Sequence, residues 1–127
     1  MPRVRISLAS AEADLAAVVW PGVSLVYHPR TESTQQIQHV AALIDNLEKL
    51  RGIRPGTVEL RPMIETPKGV TLAHEIASCS PRIHAFGVGP NIHHWLYGDA
   101  LAYARSECDL AARALGLEPL DVVQVLD

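Results

Sequence analysis

The sequence lacks long apolar runs and concentrations of basic residues, and these two absences exclude whole classes of protein. No window approaches the roughly 18 consecutive apolar residues that a membrane-spanning helix needs, and the N-terminal stretch "MPRVRISLASAEAD" lacks the apolar segment of a signal peptide. The 11 basic residues are scattered and are outnumbered by 14 acidic ones, which gives a net charge of −3. We therefore expect a cytoplasmic protein that binds neither membranes nor nucleic acid.

Cysteine is also scarce, and its spacing argues against the common cysteine-based sites. Cys79 and Cys108 are the two cysteines of the chain, they lie far apart, and no C-x-x-C motif is present. This spacing predicts reduced, buried thiols rather than a disulfide or a metal pair. No low-complexity segment or linker divides the 127 residues, and a hydrophobic content of 48% suffices for a real core. The sequence thus predicts a single domain over residues 1–127.

Short apolar or β-branched runs alternate with stretches of helical periodicity. The runs predict five strands, at residues 4–7, 23–28, 58–64, 83–88 and 121–126. Four helices are predicted between them; the clearest two cover about residues 34–50 and 99–115, and each precedes a glycine that suits a left-handed helix end. Ser10 and Thr66 are predicted to cap the first and third helices. Alternating strands and helices predict an α/β fold with a parallel sheet, whose functional groups should lie at the C-terminal strand ends.

The alternation of side chains along the predicted strands places charged groups on one face of the sheet. In the third strand, the residues that point away from the helices are Glu59, Arg61, Met63 and Glu65. The first strand is predicted to add Arg3, Arg5 and Ser7, and the second to add Ser24, Val26, His28 and Arg30. Charges gathered on one face are costly unless they pair, stay hydrated or bind a ligand.

Five segments in a fixed order resemble the HpcH/HpaI aldolase and citrate lyase beta-subunit-like family. They are "VRIS", "HPRTES", "RPMIETPKGV", "SPRIHAFGVGPN" and "LAYARSECDLAARALGLEPLD", and they span nearly the whole chain. The most specific piece is the I-E-T-P-x-G-V block followed by S-P-R. The resemblance implies a (β/α)8 barrel that binds Mg²⁺ and makes or breaks a carbon–carbon bond between a 2-oxo acid and an acyl-CoA or related partner.

The resemblance also implies roles for individual residues. The family's metal-binding glutamate corresponds to Glu65, the implied catalytic residues are Arg5 and Glu65, and the implied substrate-binding residues are Arg5 and Arg30. A carboxylate-bound Mg²⁺ would polarise the 2-oxo acid, and an arginine would add fixed positive charge for its carboxylate or for a developing oxyanion. The family's second metal ligand, an aspartate, is replaced by Ile92, which cannot coordinate Mg²⁺. Asn91 and Asp99 carry oxygen atoms nearby but do not occupy the motif position.

Simpler interpretations of the same residues stay open. Glu65 could be a carboxylate favoured by the N-terminus of the helix that starts near Pro67. Arg5 could form an ion pair with Glu59 or Glu65, and Arg30 could pair with a carboxylate or be solvated. The stretch "GVGPN" at 87–91 could offer backbone N–H groups to a phosphate or to CoA, or could form only a turn. The stretch "HHW" at 93–95 indicates zinc only weakly, because no third ligand has a recognisable spacing.

The length of the chain limits how much of a barrel it can form. A closed barrel needs roughly 200 residues or more, and the five predicted strands correspond to the third to seventh of the family. We therefore expect a partial TIM-type barrel that is either a truncated gene product or a homo-oligomer whose open sheet edges are covered by self-association. The expected function is Mg²⁺-dependent cleavage of a thioester such as citryl-, malyl- or citramalyl-CoA. The alternative is a non-catalytic, oligomer-forming remnant, and the site hypothesis requires Arg5, Arg30 and Glu65 to converge at one end of the sheet.

Overall fold

The computed structural model describes residues 3–6 and 11–121, and it contains a five-stranded parallel sheet. The strands are β1 (Arg3–Arg5), β2 (Leu25–His28), β3 (Glu59–Ile64), β4 (Ala85–Val88) and β5 (Glu118–Asp121). They lie side by side in chain order, and each neighbouring pair is parallel. Right-handed crossovers between sequential neighbours put their helices on one face, so this order is that of a partial (β/α) barrel and not of a doubly wound sheet. The predicted fold class is confirmed.

The helices of the described residues are α1 (Ala11–Val18), α2 (Thr34–Leu50), α3 (Pro67–Thr71), α4 (Ala73–Ala77) and α5 (Gly98–Ala114), with a 3₁₀ helix at Pro90–His94. Helix α2 has the predicted bounds because Ser33 and Gln36 form a reciprocal capping box at its start. Helix α5 ends one residue earlier than predicted, and Gly116 after it has a positive φ of 71°. These two helices were predictable because cap residues and apolar periodicity agree.

Two predicted elements differ from the structure. The predicted third helix begins at the Thr66 cap but is interrupted at Leu72, whose φ of −114° separates α3 from α4. Strand β5 begins at Glu118 and not at residue 121, because the chain turns immediately after α5 and pairs with β4 from Ala85 onward. In the sequence, Pro119 argues against a strand at this position, although an edge strand tolerates a proline. Residues 122–126 and the predicted cap Ser10 lie outside the described residues.

The core lies between the sheet and the helices that cover one of its faces. The apolar residues of β3 that were predicted to meet helices are fully buried, and so are Ile37, Val40 and Ile44 of α2. Cys108 packs in this core on α5, and burial raises the pKa of its thiol to about 12. Cys79 is also a free cysteine but is only half-buried. Within the described residues, no helix is long and apolar enough to cross a membrane.

A buried ion-pair network closes the N-terminal end of the sheet. Arg82, just before β4, donates through Nη2 to Glu48 Oε1 at 2.7 Å, through Nη1 to Glu48 Oε2 at 3.0 Å, and also to Asp45. Glu48 is 1% exposed and accepts from the amides of Gly56 and Val58 at 2.9 Å each. Burial alone would raise the pKa of Glu48, but the hydrogen bonds from Arg82 and the two amides outweigh it and lower the pKa. This network joins α2, the loop before β3 and the start of β4.

We predict that Glu48→Gln lowers the free energy of unfolding by about 3 kcal/mol at neutral pH, because the buried Arg82 loses its main counter-charge. The pKa of Glu48 is lower in the folded protein than its ordinary value of 4.5. The ionised carboxylate therefore stabilises the fold fully above pH 4.5, and this stabilisation is lost as the pH falls through the folded-state pKa. The difference in the free energy of unfolding between the wild type and Glu48→Gln should therefore become smaller in acid. Urea unfolding from neutral pH to about pH 3 measures it.

Glu75→Gln is the matched control, since Glu75 is an exposed glutamate on α4. We expect this control to unfold within about 0.5 kcal/mol of the wild type. Equal stability of Glu48→Gln and Glu75→Gln at neutral pH would show that the network does not stabilise the fold.

Candidate functional site

Glu65 directly follows β3, and its carboxylate is completely buried at the C-terminal end of the sheet. Oε1 accepts a hydrogen bond from Arg5 Nη2 at 3.1 Å and another from the backbone N–H of Arg30 at 2.9 Å. Oε2 accepts from the backbone N–H of Asn91 at 2.9 Å. The predicted convergence of Arg5, Arg30 and Glu65 is therefore present, although Arg30 takes part through its main chain. The carboxylate joins β1 to the segments that follow β2 and β4.

Gly89 makes room for this carboxylate. A Cβ atom at residue 89 would lie 2.6 Å from Glu65 Cγ and 2.9 Å from Glu65 Oε2, which is too close for any side chain to be accepted without a shift. The amide of Gly89 donates to the carbonyl of Ile64 at 2.9 Å, and the amide of Asn91 is used by Glu65. These two N–H groups of the "GVGPN" stretch are therefore engaged within the protein. The interpretation of that stretch as a phosphate cradle is wrong for these two groups, and the close approach of the Glu65 side chain explains Gly89.

The polar face of the sheet differs from the prediction in the second strand. The register places Arg5, Tyr27 and Arg61 in one row across β1, β2 and β3. The second-strand residues on the charged face are therefore those in phase with Tyr27. Val26 and His28, which were predicted to face it, are buried on the helix side. Arg61 pairs with Glu59 at 2.9 Å on the same strand, so its charge is neutralised locally.

Arg30 lies beyond the end of β2, where strand alternation no longer determines its direction. Its φ is +46°, the one positive value recorded for a non-glycine residue in the described chain. The hydrogen bond from its amide to Glu65 holds this conformation. Its side chain is exposed and, within residues 3–6 and 11–121, has no recorded carboxylate partner. Arg30 lines a cavity of about 390 Å³ together with Asn91, His94 and Trp95.

Sequence reasoning missed the hydrogen bonds that order the β2–α2 loop beside the site. His28 is 2% exposed, and burial lowers the pKa of its imidazole to about 4, so the ring is neutral at physiological pH. The Thr31 hydroxyl donates to the His28 carbonyl at 2.9 Å and accepts from the ring Nδ1 at 2.7 Å, which fixes the Nδ1–H tautomer. The amide of Thr31 also donates to the carbonyl of Met63 at 3.1 Å. The bond to Met63 joins distant segments and has no local signal, whereas His28 and Thr31 lie only three residues apart.

A second acidic residue near the site is also engaged. Glu32 Oε2 accepts from the Thr66 hydroxyl at 2.7 Å, and the same hydroxyl accepts from the amide of Gly69 as the predicted cap of α3. This contact connects the loop after β2 to the helix after β3. It removes one carboxylate oxygen of Glu32 from the set of available ligands.

The described residues do not fit the magnesium site that the family resemblance implies. Mg²⁺ requires near-octahedral oxygen coordination, whereas Glu65 is surrounded by three N–H donors, one of them on a positively charged arginine. Ile92 is completely buried in the core, and Asp99 is exposed in the first turn of α5. Across the described part of the chain, no group of three or more His, Cys, Asp or Glu side chains could hold a metal ion.

Comparisons with known proteins agree on one family. The sequence profile of the HpcH/HpaI aldolase/citrate lyase family matches residues 3–126. The chain is 33% identical over 117 residues to citrate lyase subunit beta of Haemophilus influenzae, covering 87% of this chain and 40% of that protein. It is 30% identical over 78 residues to the malyl-CoA/beta-methylmalyl-CoA/citramalyl-CoA lyase of Chloroflexus aurantiacus, covering 61% of this chain and 22% of that protein.

A solved structure supports the same fold. The chain superposes on a citrate lyase from Burkholderia xenovorans with a TM-score of 0.69 and 17% sequence identity, covering 92% of this chain and 42% of that one. The chain spans about two fifths of the length of the first of the curated relatives and of this structure. The profile match extends over nearly the whole sequence, so the chain belongs to the HpcH/HpaI aldolase/citrate lyase family.

Proposed function

We propose that this chain contributes the arginine-lined edge of an active site for carbon–carbon lyase chemistry on a 2-oxo acid or an acyl-CoA thioester. The observation that carries the proposal is the position of Arg5. Its guanidinium is held 3.1 Å from the buried Glu65 at the C-terminal end of the sheet, yet its side chain is 44% exposed. Lyase relatives, including one whose name specifies CoA thioesters, support the reaction class.

Arg5 has the chemistry that such a substrate requires. A guanidinium carries five N–H donors, and Glu65 engages Nη2 alone, so other donors stay available for a carboxylate. In cleavage of a 3-hydroxyacyl thioester, the hydroxyl proton is lost to solvent, the hydroxyl carbon becomes the carbonyl of the 2-oxo acid, and the electron pair of the broken Cα–Cβ bond forms the enolate of the thioester. A fixed positive charge lowers the free energy of that anion because it needs no reorganisation when the charge develops. Arg30 offers a second, exposed guanidinium for another charged group of the substrate.

Magnesium takes no step in this proposal. A Mg²⁺ ion at Glu65 would require oxygen ligands from beyond the described residues, and three N–H donors already use most of the lone-pair sites of the buried carboxylate. The metal supplies Lewis-acid polarisation of a carbonyl when it is present in an enzyme. What the described residues themselves supply is an arginine held in place for an anion.

A second candidate function is a non-catalytic protein that assembles through its sheet edges. The three N–H donors on the Glu65 carboxylate and the burial of Ile92 favour it, because the first reduce the lone-pair sites of Glu65 and the second replaces a metal ligand. Strands β1 and β5 each pair on one side only within the described sheet, and such edges invite pairing with another chain. The homo-oligomer stays a prediction, and light scattering on the purified chain measures it.

We predict that Arg5→Gln weakens the binding of oxaloacetate about tenfold, because one charge-assisted hydrogen-bond donor is lost. Arg5→Lys should bind with intermediate affinity, since it keeps the charge but loses the planar fork. Isothermal titration calorimetry measures both, after circular dichroism has shown that the variants are folded. Arg54→Gln is the matched control, because Arg54 is an exposed arginine in the loop before β3 at the opposite end of the sheet.

Unchanged affinity in Arg5→Gln would remove Arg5 from the site. A second assay separates the two candidate functions: the wild type is incubated with malyl-CoA, and formation of acetyl-CoA and glyoxylate is followed by chromatography. Cleavage supports the lyase. Binding of oxaloacetate without cleavage of the thioester supports the non-catalytic candidate.

We also predict that Mg²⁺ does not bind saturably to this chain at concentrations up to about 1 mM, and that Glu65→Gln does not change this. Calorimetric titration of MgCl₂, with and without oxaloacetate, is the measurement. Saturable binding that Glu65→Gln abolishes would contradict the prediction and would restore Glu65 as a metal ligand.

A further inference from the structure

The solvent side of α5 carries a regular row of side chains, which we call the α5 seam. The opposite side of the helix packs in the core through Ala104, Cys108 and Ala111. The residues of the seam are all exposed and follow one another at intervals of four, three, four and three residues; they are Asp99, Tyr103, Ser106, Leu110 and Arg113. This is the spacing at which one helix packs along another. Tyr103 and Leu110 are each 63% exposed, so the seam presents two large apolar side chains to water.

The order of residues makes the α5 seam complementary to itself in an antiparallel orientation. Ser106 is its centre, with Tyr103 three residues before it and Leu110 four residues after it. If an identical helix crosses antiparallel at Ser106, Tyr103 of each copy meets Leu110 of the other, and Asp99 of each meets Arg113 of the other. A parallel arrangement would instead place Asp99 against Asp99 and Arg113 against Arg113. Like charges repel, so the charges of the seam favour the antiparallel pair.

The charged ends of the seam are free to bind across such a contact. Within residues 3–6 and 11–121, Asp99 has no recorded cationic partner. The Arg113 Nε donates to Asp109 Oδ2 at 2.8 Å, which leaves the Nη groups as donors for a second carboxylate. The centre of the seam is small, because Ser106 is preceded on the exposed side by Ala102. Small side chains at the crossing let two helices approach closely.

We propose that two copies of this chain associate through the α5 seam as a two-fold symmetric, antiparallel helix pair. The two-fold axis passes beside Ser106, so every other contact of the seam occurs twice. Tyr103 and Leu110 lose contact with water when the helices meet, and this burial drives the association. The contact lies on the outer surface of a helix and leaves the edges of β1 and β5 unchanged, so it differs from association through sheet edges.

A cavity beside the seam gives room for the incoming tyrosine. Its volume is about 550 Å³, and its walls include Ser106, Leu110 and Arg113 of α5 together with Pro119 and Leu120 of β5. A side chain that packs on Leu110 from a second copy lies next to this space. A phenol ring is large and flat and has a polar end, which suits a cavity that has both apolar and charged walls.

The first test is sedimentation equilibrium on the wild type, Leu110→Gln and Leu50→Gln, after circular dichroism has shown that all three are folded. Leu50→Gln is the matched control, because Leu50 is an exposed leucine on α2 that lies outside the seam. We expect a reversible monomer–dimer equilibrium for the wild type and for the control. Leu110→Gln should raise the dissociation constant at least about tenfold, since the symmetry removes two leucines from the contact. A wild type that is monomeric at about 100 μM, or an equal effect of the two substitutions, would overturn the proposal.

A charge exchange tests the pairing of the two ends. Arg113→Glu should raise the dissociation constant about tenfold, because it places a carboxylate opposite Asp99 at both ends of the pair. Adding Asp99→Arg to this variant reverses both charges, and the double variant should dimerise within about threefold of the wild type. A structural defect in α5 would not be repaired by a second substitution. If the double variant associates no more tightly than Arg113→Glu, the antiparallel arrangement is wrong.

Disulfide formation reports the position of the two-fold axis. Ser106→Cys, in a Cys79→Ser background, is oxidised with diamide, which takes up the two thiol hydrogens as the disulfide forms. We expect a covalent dimer, because residue 106 meets its own copy. Asp99→Cys is the control and should stay monomeric on a denaturing gel, since about 14 residues of helix, roughly 20 Å, separate the two copies of residue 99. A covalent dimer of Asp99→Cys, or none of Ser106→Cys, would contradict the proposal. None of these measurements involves a 2-oxo acid or a thioester, so the result is independent of the proposed function.

Discussion

A carboxylate that is removed from water and surrounded by N–H donors determines the geometry of the C-terminal edge of this sheet. Glu65 bonds the Arg5 side chain and the amides of Arg30 and Asn91, which come from three separate parts of the chain. A buried carboxylate is costly unless every donor is in place, so the positions of these three segments depend on one another. The backbone positions of Arg30 and Asn91, which both line the adjacent cavity, follow from this one group.

The opposite end of the sheet uses the same chemistry for a different purpose. Glu48 is buried there and takes its hydrogen bonds from the side chain of Arg82 and from the amides of Gly56 and Val58. In barrels of this type, the N-terminal face serves stability and the C-terminal face serves binding and chemistry. The two carboxylates follow that division, because the Arg82 side chain is 5% exposed whereas that of Arg5 is 44% exposed. An ion pair whose arginine stays accessible can also contact a ligand, whereas an ion pair whose arginine is buried serves the structure alone.

The sequence was informative where local signals agree and uninformative where distant segments meet. Helix α2 was predictable to the residue because the capping box and the apolar stripe coincide. Strand alternation correctly placed Glu65 on the charged side, but it assigned Val26 and His28 to the wrong face, and it does not apply to Arg30, which lies two residues after β2 ends at His28. The pairing of Glu48 with Arg82 connects residues 34 positions apart, which no local periodicity detects. A glutamate on the apolar stripe of α2, four residues after Ile44, was nevertheless a visible signal of a buried partner.

The resemblance to a metal-dependent family and the local geometry lead to different roles for the same glutamate. A metal ion and an N–H donor compete for the same carboxylate lone pairs, and here three donors already use three of about four, two of them from backbone groups. An octahedral cation at Glu65 would therefore meet one remaining lone-pair site on a fully buried carboxylate and would need its other oxygen ligands from elsewhere. Family membership sets the fold, and that fold hosts many chemistries. The proposed function therefore depends on the described residues at the strand ends, where it assigns anion binding to arginine.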